Sequence, residues 1–274
     1  MPRIAANLTM LFNEVPFLDR FEAAAKTGFT AVEFLFPYEY KAADLRARLD
    51  GNGLKLVLHN MPPGDWGKGE RGIGCHPDRV GEFQAGVERA IEYAAALGAP
   101  QLNCLAGIAP KDVSADTLRA TLVENLRFAA EKLRATFVAN LGFAAEKLKA
   151  AGIKLLTEPI NFYDIPGFYL NRTQQALDLI AEVGSDNLYI QYDIYHAQRM
   201  EGELANTIKA NLPRIAHMQL ADNPGRNEPG TGEINYRFLF GWLDAIGYAG
   251  WIGCEYKPKT TTEAGLGWRA AHGV

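Results

Sequence analysis

Short apolar runs alternate along this chain with longer stretches in which apolar residues recur every three or four positions. The runs are RIAANL (3–8), TAVEFL (30–35), LKLVLHN (54–60), QLNCLAG (101–107), IKLLTE (153–158), NLYIQYD (187–193), RIAHMQLAD (214–222) and WIGCEY (251–256). Each has the length and composition of a buried strand. Between them, FLDRFEAAAKTG, ADLRARLDGNG, VGEFQAGVERAIEYAAALG and TQQALDLIAEVG carry the period of an amphipathic helix. Gly28, Gly53, Gly98, Gly152, Gly184 and Gly247 each stand just before a strand, where a helix usually stops. Eight strand–helix units predict one α/β domain over residues 1–274, a (β/α)8 TIM barrel. A doubly wound open sheet would want a glycine-rich phosphate turn after the first strand, and NLTMLFNE is not one.

One segment breaks the regular alternation. TLVENLRFAAEKLRA (121–135) is followed directly by TFVANLGFAAEKLKA (136–150), identical at 11 of 15 positions by direct count. No other helix is copied, so this is a local tandem duplication in the fourth helix and not a solenoid. Leu122, Leu126, Ala129 and Leu133 of the first copy match Phe137, Leu141, Ala144 and Leu148 of the second. The reading favours a break in the helix between Thr136 and Gly142, with one copy packed on the barrel. The surplus copy is then free, or a contact between subunits of a homo-oligomer.

Composition narrows the function. Hydrophobic residues make up 48% of 274, enough for a sizeable core, and the net charge is −4. Phosphate backbones are bound by clustered Lys and Arg, so nucleic acid is not the expected partner. Cys75, Cys104 and Cys254 are odd in number and far apart, which predicts neither a disulfide framework nor a CxxC zinc site. The opening MPRIAANLTM lacks a signal-peptide core, and no run approaches the ~18 apolar residues of a membrane span. The expectation is a cytoplasmic protein that does not enter a membrane.

A TIM barrel works at the C-terminal ends of its strands, so the residues there are the candidates. The third strand ends in His59 and Asn60, the fifth in Glu158, and the sixth in Asp193 with His196 three residues on. The seventh carries His217 and Gln219, and the eighth ends in Glu255 with Lys257 two beyond. A single acid at a strand end is readily explained by solvent. Four consecutive strands ending in Glu, Asp, Gln and Glu would repel at a barrel mouth, and a cation is the natural compensation. Three carboxylates and one amide are hard donors suited to Mg²⁺, with Mn²⁺ as the alternative. Such an ion can hold both oxygens of an α-hydroxy carbonyl while two glutamates move a proton between adjacent carbons.

With these residues in view, the chain resembles the hydroxypyruvate isomerases, within the xylose-isomerase-like barrel superfamily. The resemblance runs essentially end to end, through ANLTMLFNEVPFLDRF, GDWGKGERGI, TEPIN, YDIYHAQRMEGEL, NPGRNEPGTGEINY and CEYKPKTTTEAGL. The duplicated segment departs from it. The resemblance implies an aldose–ketose type isomerase of glyoxylate metabolism, with Glu158 and Glu255 as the catalytic pair. It implies a divalent metal on Glu158, Asp193, Gln219 and Glu255. In related sugar epimerases the position of Gln219 looks like a histidine. The 2-oxo-tetronate isomerases share the MPRIAANLTMLFNEVPF opening and the WIGCEYKP ending; LHNMPPGDWGKGERGI and TEPINFYDIPGF look more like the hydroxypyruvate enzymes.

The expected partner is a small hydroxy-carbonyl acid. Arg226 is favoured as the clamp on its carboxylate, because arginine pairs bidentately from a loop. Arg71 and Lys257 are further cations for that role, each with a solvated side chain as the plain alternative. His59 and His196 are expected to touch substrate, and Trp66 to cover the pocket. His217, aimed inward by alternation with Gln219, has a structural role one layer deeper as its alternative. A metal-dependent endonuclease, which this superfamily also hosts, would need more histidine ligands and a basic face.

Overall fold

A computed structural model describes residues 2–141 and 152–274. Eight parallel strands close a barrel in chain order: β1 Arg3–Asn7, β2 Ala31–Phe34, β3 Lys55–Asn60, β4 Gln101–Cys104, β5 Lys154–Thr157, β6 Leu188–Asp193, β7 Ile215–Leu220 and β8 Trp251–Cys254. Every apolar run of the sequence forms one of them, trimmed by a residue or more at most of the ends. A parallel sheet buried on both faces asks for continuous apolar runs, which is what these segments supply.

Helices surround the barrel: α1 Arg20–Lys26, α2 Ala42–Gly51, α3 Val80–Leu97, α4 Ala115–Leu141, α5 Thr173–Val183, α6 Ile194–Met200, α7 Leu204–Asn211, α8 Tyr236–Ala245, α9 Thr262–Gly265 and α10 Gly267–His272. Gly98 and Gly184 end α3 and α5 in the left-handed conformation, at φ 72° and 71°, which glycine adopts without a Cβ penalty. Among the described residues no helix is long and apolar enough to cross a membrane.

In α4 the first copy of the duplication packs against the barrel. Leu122, Leu126, Ala129 and Leu133 are all fully buried. The helix runs on without a break from Thr136 to Leu141, against the expected interruption over that stretch. Six more helical residues cost little once a helix is nucleated, and the propensities of Thr and Val lower stability by less than about 1 kcal/mol each. Gly142 and the rest of the second copy lie outside the described residues.

Two slips in strand register decide what faces the interior. Between β2 and β3 the pairing shifts by one at Val32/Glu33. Val57 and Leu58 consequently both pack with Ala5, Ala31 and Leu156. Above the slip, alternation points Asn60 inward and turns His59 to the helix side. A second shift, at Ile190/Gln191, sets Gln191 beside His217 and Asp193 beside Gln219.

Candidate active site

Glu158, Asp193 and Glu255 reach the barrel mouth from β5, β6 and β8, as the strand ends predicted. Together with His196 they bring one ligand atom each within 4.8 Å of one another, and all four residues are buried. They stand at or beside a cavity of about 650 Å³ at the C-terminal ends of the strands. A larger cleft, about 830 Å³, opens at the opposite end between Arg3, Lys154 and Trp251. Its cations are already engaged: Arg3 lies over Trp251, Lys154 over Tyr189, and Arg134 pairs with Asp186. The chemistry therefore concentrates at the mouth, despite the greater volume below.

Each acid is held by the elements around it. Glu158 Oε2 accepts from Asn103 Nδ2 and Gln191 Nε2, both at 2.9 Å. Asp193 caps α6: its Oδ1 accepts from the backbone N–H groups of Tyr195 (2.7 Å) and His196 (3.1 Å). The other oxygen, Oδ2, is buried with no hydrogen-bond partner. Glu255 Oε2 accepts from Arg226 at 2.6 Å. Gln219 Oε1 accepts from Gln191 Nε2 at 2.6 Å, which ties it to the same group as Glu158.

His196 is near the acids but its ring is set for a different task. Asn161 Oδ1 takes the backbone N–H of Asp164 at 2.8 Å, so its amide nitrogen must face His196 Nδ1, at 2.6 Å. Burial, with Arg226 and Arg199 adding to it, pushes the His196 pKa well down and keeps the ring neutral. A neutral ring that accepts at Nδ1 carries its proton on Nε2. That nitrogen, 3.7 Å from Asp193 Oδ2, is a donor toward the cavity and not a lone pair for an ion.

The acids are strained electrostatically. Burial, then Glu255 and Asp193, raise the Glu158 pKa well above the usual carboxylate range. Burial raises Asp193, with Arg226 opposing. Burial raises Glu255 to about 8, with Arg226 opposing and Asp193 adding. An orphaned buried oxygen on Asp193 and three crowded carboxyls answer to one guanidinium, so the donor set fits a hard divalent cation. Gln219 Oε1 has a second lone pair to contribute, since Gln191 uses only one.

The cations expected to read a carboxylate line the cavity: Arg71, Arg226 and Lys257. Arg226 sits at φ +54°, a conformation costing about 1–3 kcal/mol outside glycine. Asp222, missed by the sequence reading, organises that loop by accepting from the backbone N–H groups of Asn223, Gly230, Gly232 and Ile234. Arg71 lies 4.0 Å over the ring of Trp66, which lines the cavity as expected. Arg199 joins them, anchored on Asp164 at 2.5 Å and on Tyr195 at 2.8 Å.

His59 departs from its expected place. It is fully buried, stacked on Phe34 and edge-on to Tyr38, and Asn60 lines the cavity in its stead. The register slip in β3 is the physical reason. Burial pushes its pKa down to about 4, which suits a packed neutral ring.

Glu33, Asn103 and Gln191 also escaped the sequence reading. Gln191 stands two residues before Asp193 and Glu33 lies inside the apolar run TAVEFL; alternation would have aimed both inward. His217 takes the deeper structural place: its Nε2 meets Glu33 at 2.6 Å.

Comparison with known proteins places the chain. Residues 21–272 match the family described as xylose isomerase-like TIM barrel. The hydroxypyruvate isomerase of Escherichia coli is 55% identical over 268 residues, covering 98% of each chain. A 2-oxo-tetronate isomerase of Cupriavidus necator is 49% identical, over 98% of this chain and 97% of the relative. A crystal structure of a Brucella melitensis protein called AP endonuclease, family 2, superposes with a TM-score of 0.91 at 42% identity, over 99% of both chains. The chain belongs to the xylose isomerase-like TIM barrel family, among its hydroxypyruvate and 2-oxo-tetronate isomerases.

Proposed function

We propose that this protein is a hydroxypyruvate isomerase that interconverts hydroxypyruvate and 2-hydroxy-3-oxopropanoate with a divalent metal, Mg²⁺ or Mn²⁺, at the barrel mouth. The observation that carries the reading is a pair of buried glutamates, Glu158 and Glu255, within 4.8 Å of each other beside a cavity lined by Arg71, Arg226 and Lys257. The 55% identity to a hydroxypyruvate isomerase supports the choice of substrate.

Glu158, Asp193, Gln219 and Glu255 would hold the metal. When bound, it supplies positive charge that stabilises negative charge on adjacent substrate oxygens. The chain's own groups do the rest. One glutamate takes a proton from the hydroxymethyl carbon and the other returns a proton to the neighbouring carbon. The hydroxyl proton passes from the oxygen of the hydroxymethyl carbon, which becomes the aldehyde, to the oxygen of the neighbouring carbon, which becomes the hydroxyl. Raised carboxyl pKa values suit this exchange, because a general acid–base works best near the operating pH. His196 donates its Nε2–H to a substrate oxygen. Arg226, with Lys257 and Arg71, pairs with the carboxylate, and Trp66 helps to exclude water. The reaction belongs in the cytoplasm, where the three buried free cysteines stay reduced.

A four-carbon 2-oxo acid is the second reading, favoured by the 49% identical relative and by a cavity large for a three-carbon substrate. The experiment is incubation of the metal-loaded protein with hydroxypyruvate, with 2-oxo-tetronate and with abasic-site DNA. The expected outcome is the highest kcat/KM on hydroxypyruvate and no DNA cleavage, in keeping with a net charge of −4. A higher kcat/KM on the four-carbon acid would replace the substrate and keep the mechanism.

A further inference from the structure

Below the three acids the barrel interior holds a fourth, Glu33, that takes no part in the reaction as drawn. It is fully buried on β2 and accepts three side-chain hydrogen bonds: from Asn7 Nδ2 at 2.9 Å, His217 Nε2 at 2.6 Å and Gln219 Nε2 at 2.7 Å. The fold makes room for it by leaving β8 bare opposite. A Cβ at Gly253 would lie 2.2 Å from both Glu33 carboxylate oxygens. Glu255 follows two residues on, just past the end of the same strand.

We propose that Glu33 is a positioning residue that makes Gln219 a metal ligand by fixing which end of its amide faces the acids. The two ends of a glutamine amide are nearly the same size and opposite in polarity, so only hydrogen-bond partners decide its orientation. Glu33 can only accept, and it claims the Nε2 end. The Oε1 end is thereby turned to Gln191, whose Nε2 is shared with Glu158. Rotated by half a turn, the amide would present N–H groups toward a cation and leave Glu33 facing an oxygen. Asn7 and His217 hold the Glu33 carboxylate from its other sides, and Gly253 lets it approach. A side chain that orients a metal ligand in this way typically changes metal affinity by about 10–100-fold when replaced.

This inference rests on the metal set proposed above, and its test separates the two. Mn²⁺ is titrated calorimetrically into the metal-free wild type, Glu33→Gln, and the exchanged pair Glu33→Gln/Gln219→Glu. Glutamine at 33 brings an amide that competes for the Gln219 orientation, so affinity falls by about 10–100-fold. The exchanged pair restores one carboxylate against one amide. Glutamate at 219 offers an oxygen to the metal whichever way it turns, so affinity returns to near the wild-type value. Gly253→Ala, whose added Cβ meets the Glu33 carboxylate oxygens, weakens affinity in the same direction by displacing Glu33. Should Glu33→Gln not fold, Gly253→Ala decides: weakened Mn²⁺ binding supports the orientation role, and wild-type affinity in the folded variant overturns it. Equal affinity in wild type and Glu33→Gln, even with a lowered melting temperature, overturns the inference alone. A wild type that binds no Mn²⁺ overturns the metal set and the inference with it.

Discussion

Two groups of buried acid stand one above the other inside the same barrel, and they are satisfied differently. Glu33 has three protein donors around its carboxylate and needs nothing further. One layer up, Glu158, Asp193 and Glu255 crowd within 4.8 Å, Asp193 Oδ2 is orphaned, and Arg226 is the guanidinium that answers them. An uncompensated buried charge costs several kcal/mol, so the upper group holds protons or a cation while the lower is complete. Burial of an acid does not by itself mark a site. A shortage of donors does.

The comparison breaks first at the glutamates. Glu158→Gln and Glu255→Gln remove the groups that carry the proton, so each should lower turnover by about 100–10,000-fold, with metal affinity reduced as well. Because each also relieves like-charge repulsion, the metal-free variants should melt no lower than wild type. A near-normal rate in either variant would remove that residue from the catalytic pair.

Removing the metal sharpens the contrast next. In the folded chain the Glu255 pKa stands near 8 against 4.5 for an ordinary glutamate, with Glu158 and Asp193 raised too. The folded state therefore binds protons more tightly between those values. The contribution of these carboxyls to the stability of the metal-free protein is full below about pH 4.5 and is lost as pH rises through about 8. Divalent metal should reverse the trend, adding most to the melting temperature at the alkaline end and releasing protons on binding. Melting curves across this range, with and without Mg²⁺, check both. A metal-free protein that gains stability toward pH 8 would contradict the crowding.

A smaller effect is expected where the upper group meets substrate. Arg226→Ala should raise KM for hydroxypyruvate more than for an uncharged hydroxy-ketone, and Lys257→Ala should do so to a lesser degree, since Arg226 already faces Glu255 at 2.6 Å. Equal effects on the two substrates would mean that neither side chain reads the carboxylate. Smallest of all is deletion of 136–150. The first copy supplies the buried face of α4, and the chain re-enters the barrel at the N-terminal end of β5, away from the acids. Rate and metal affinity should be unchanged. A folded but inactive product would show that the second copy shapes the site.

Much of this was legible in the sequence because burial writes itself into composition. Eight apolar runs gave eight strands, and the polar residues ending them gave Glu158, Asp193 and Glu255 at the mouth. His59 was misplaced because one residue of register decides which face a side chain takes, and the slip at Val32/Glu33 has no signature in an apolar run. Glu33 and Gln191 lie mid-strand, where a polar residue is usually discounted; only the closed barrel shows that they meet. Asn161 and Asp222 act through backbone and ring nitrogens, partners that exist only once the loops are folded.

The most direct test follows hydroxypyruvate by NMR in D₂O, with metal-loaded protein and with protein stripped by a chelator and verified metal-free. Two glutamates working from different carbons under a bound cation predict that the aldehyde appears only in the loaded sample, with deuterium at the neighbouring carbon. Undiminished conversion by the metal-free protein, or product that keeps the original proton, would contradict the account.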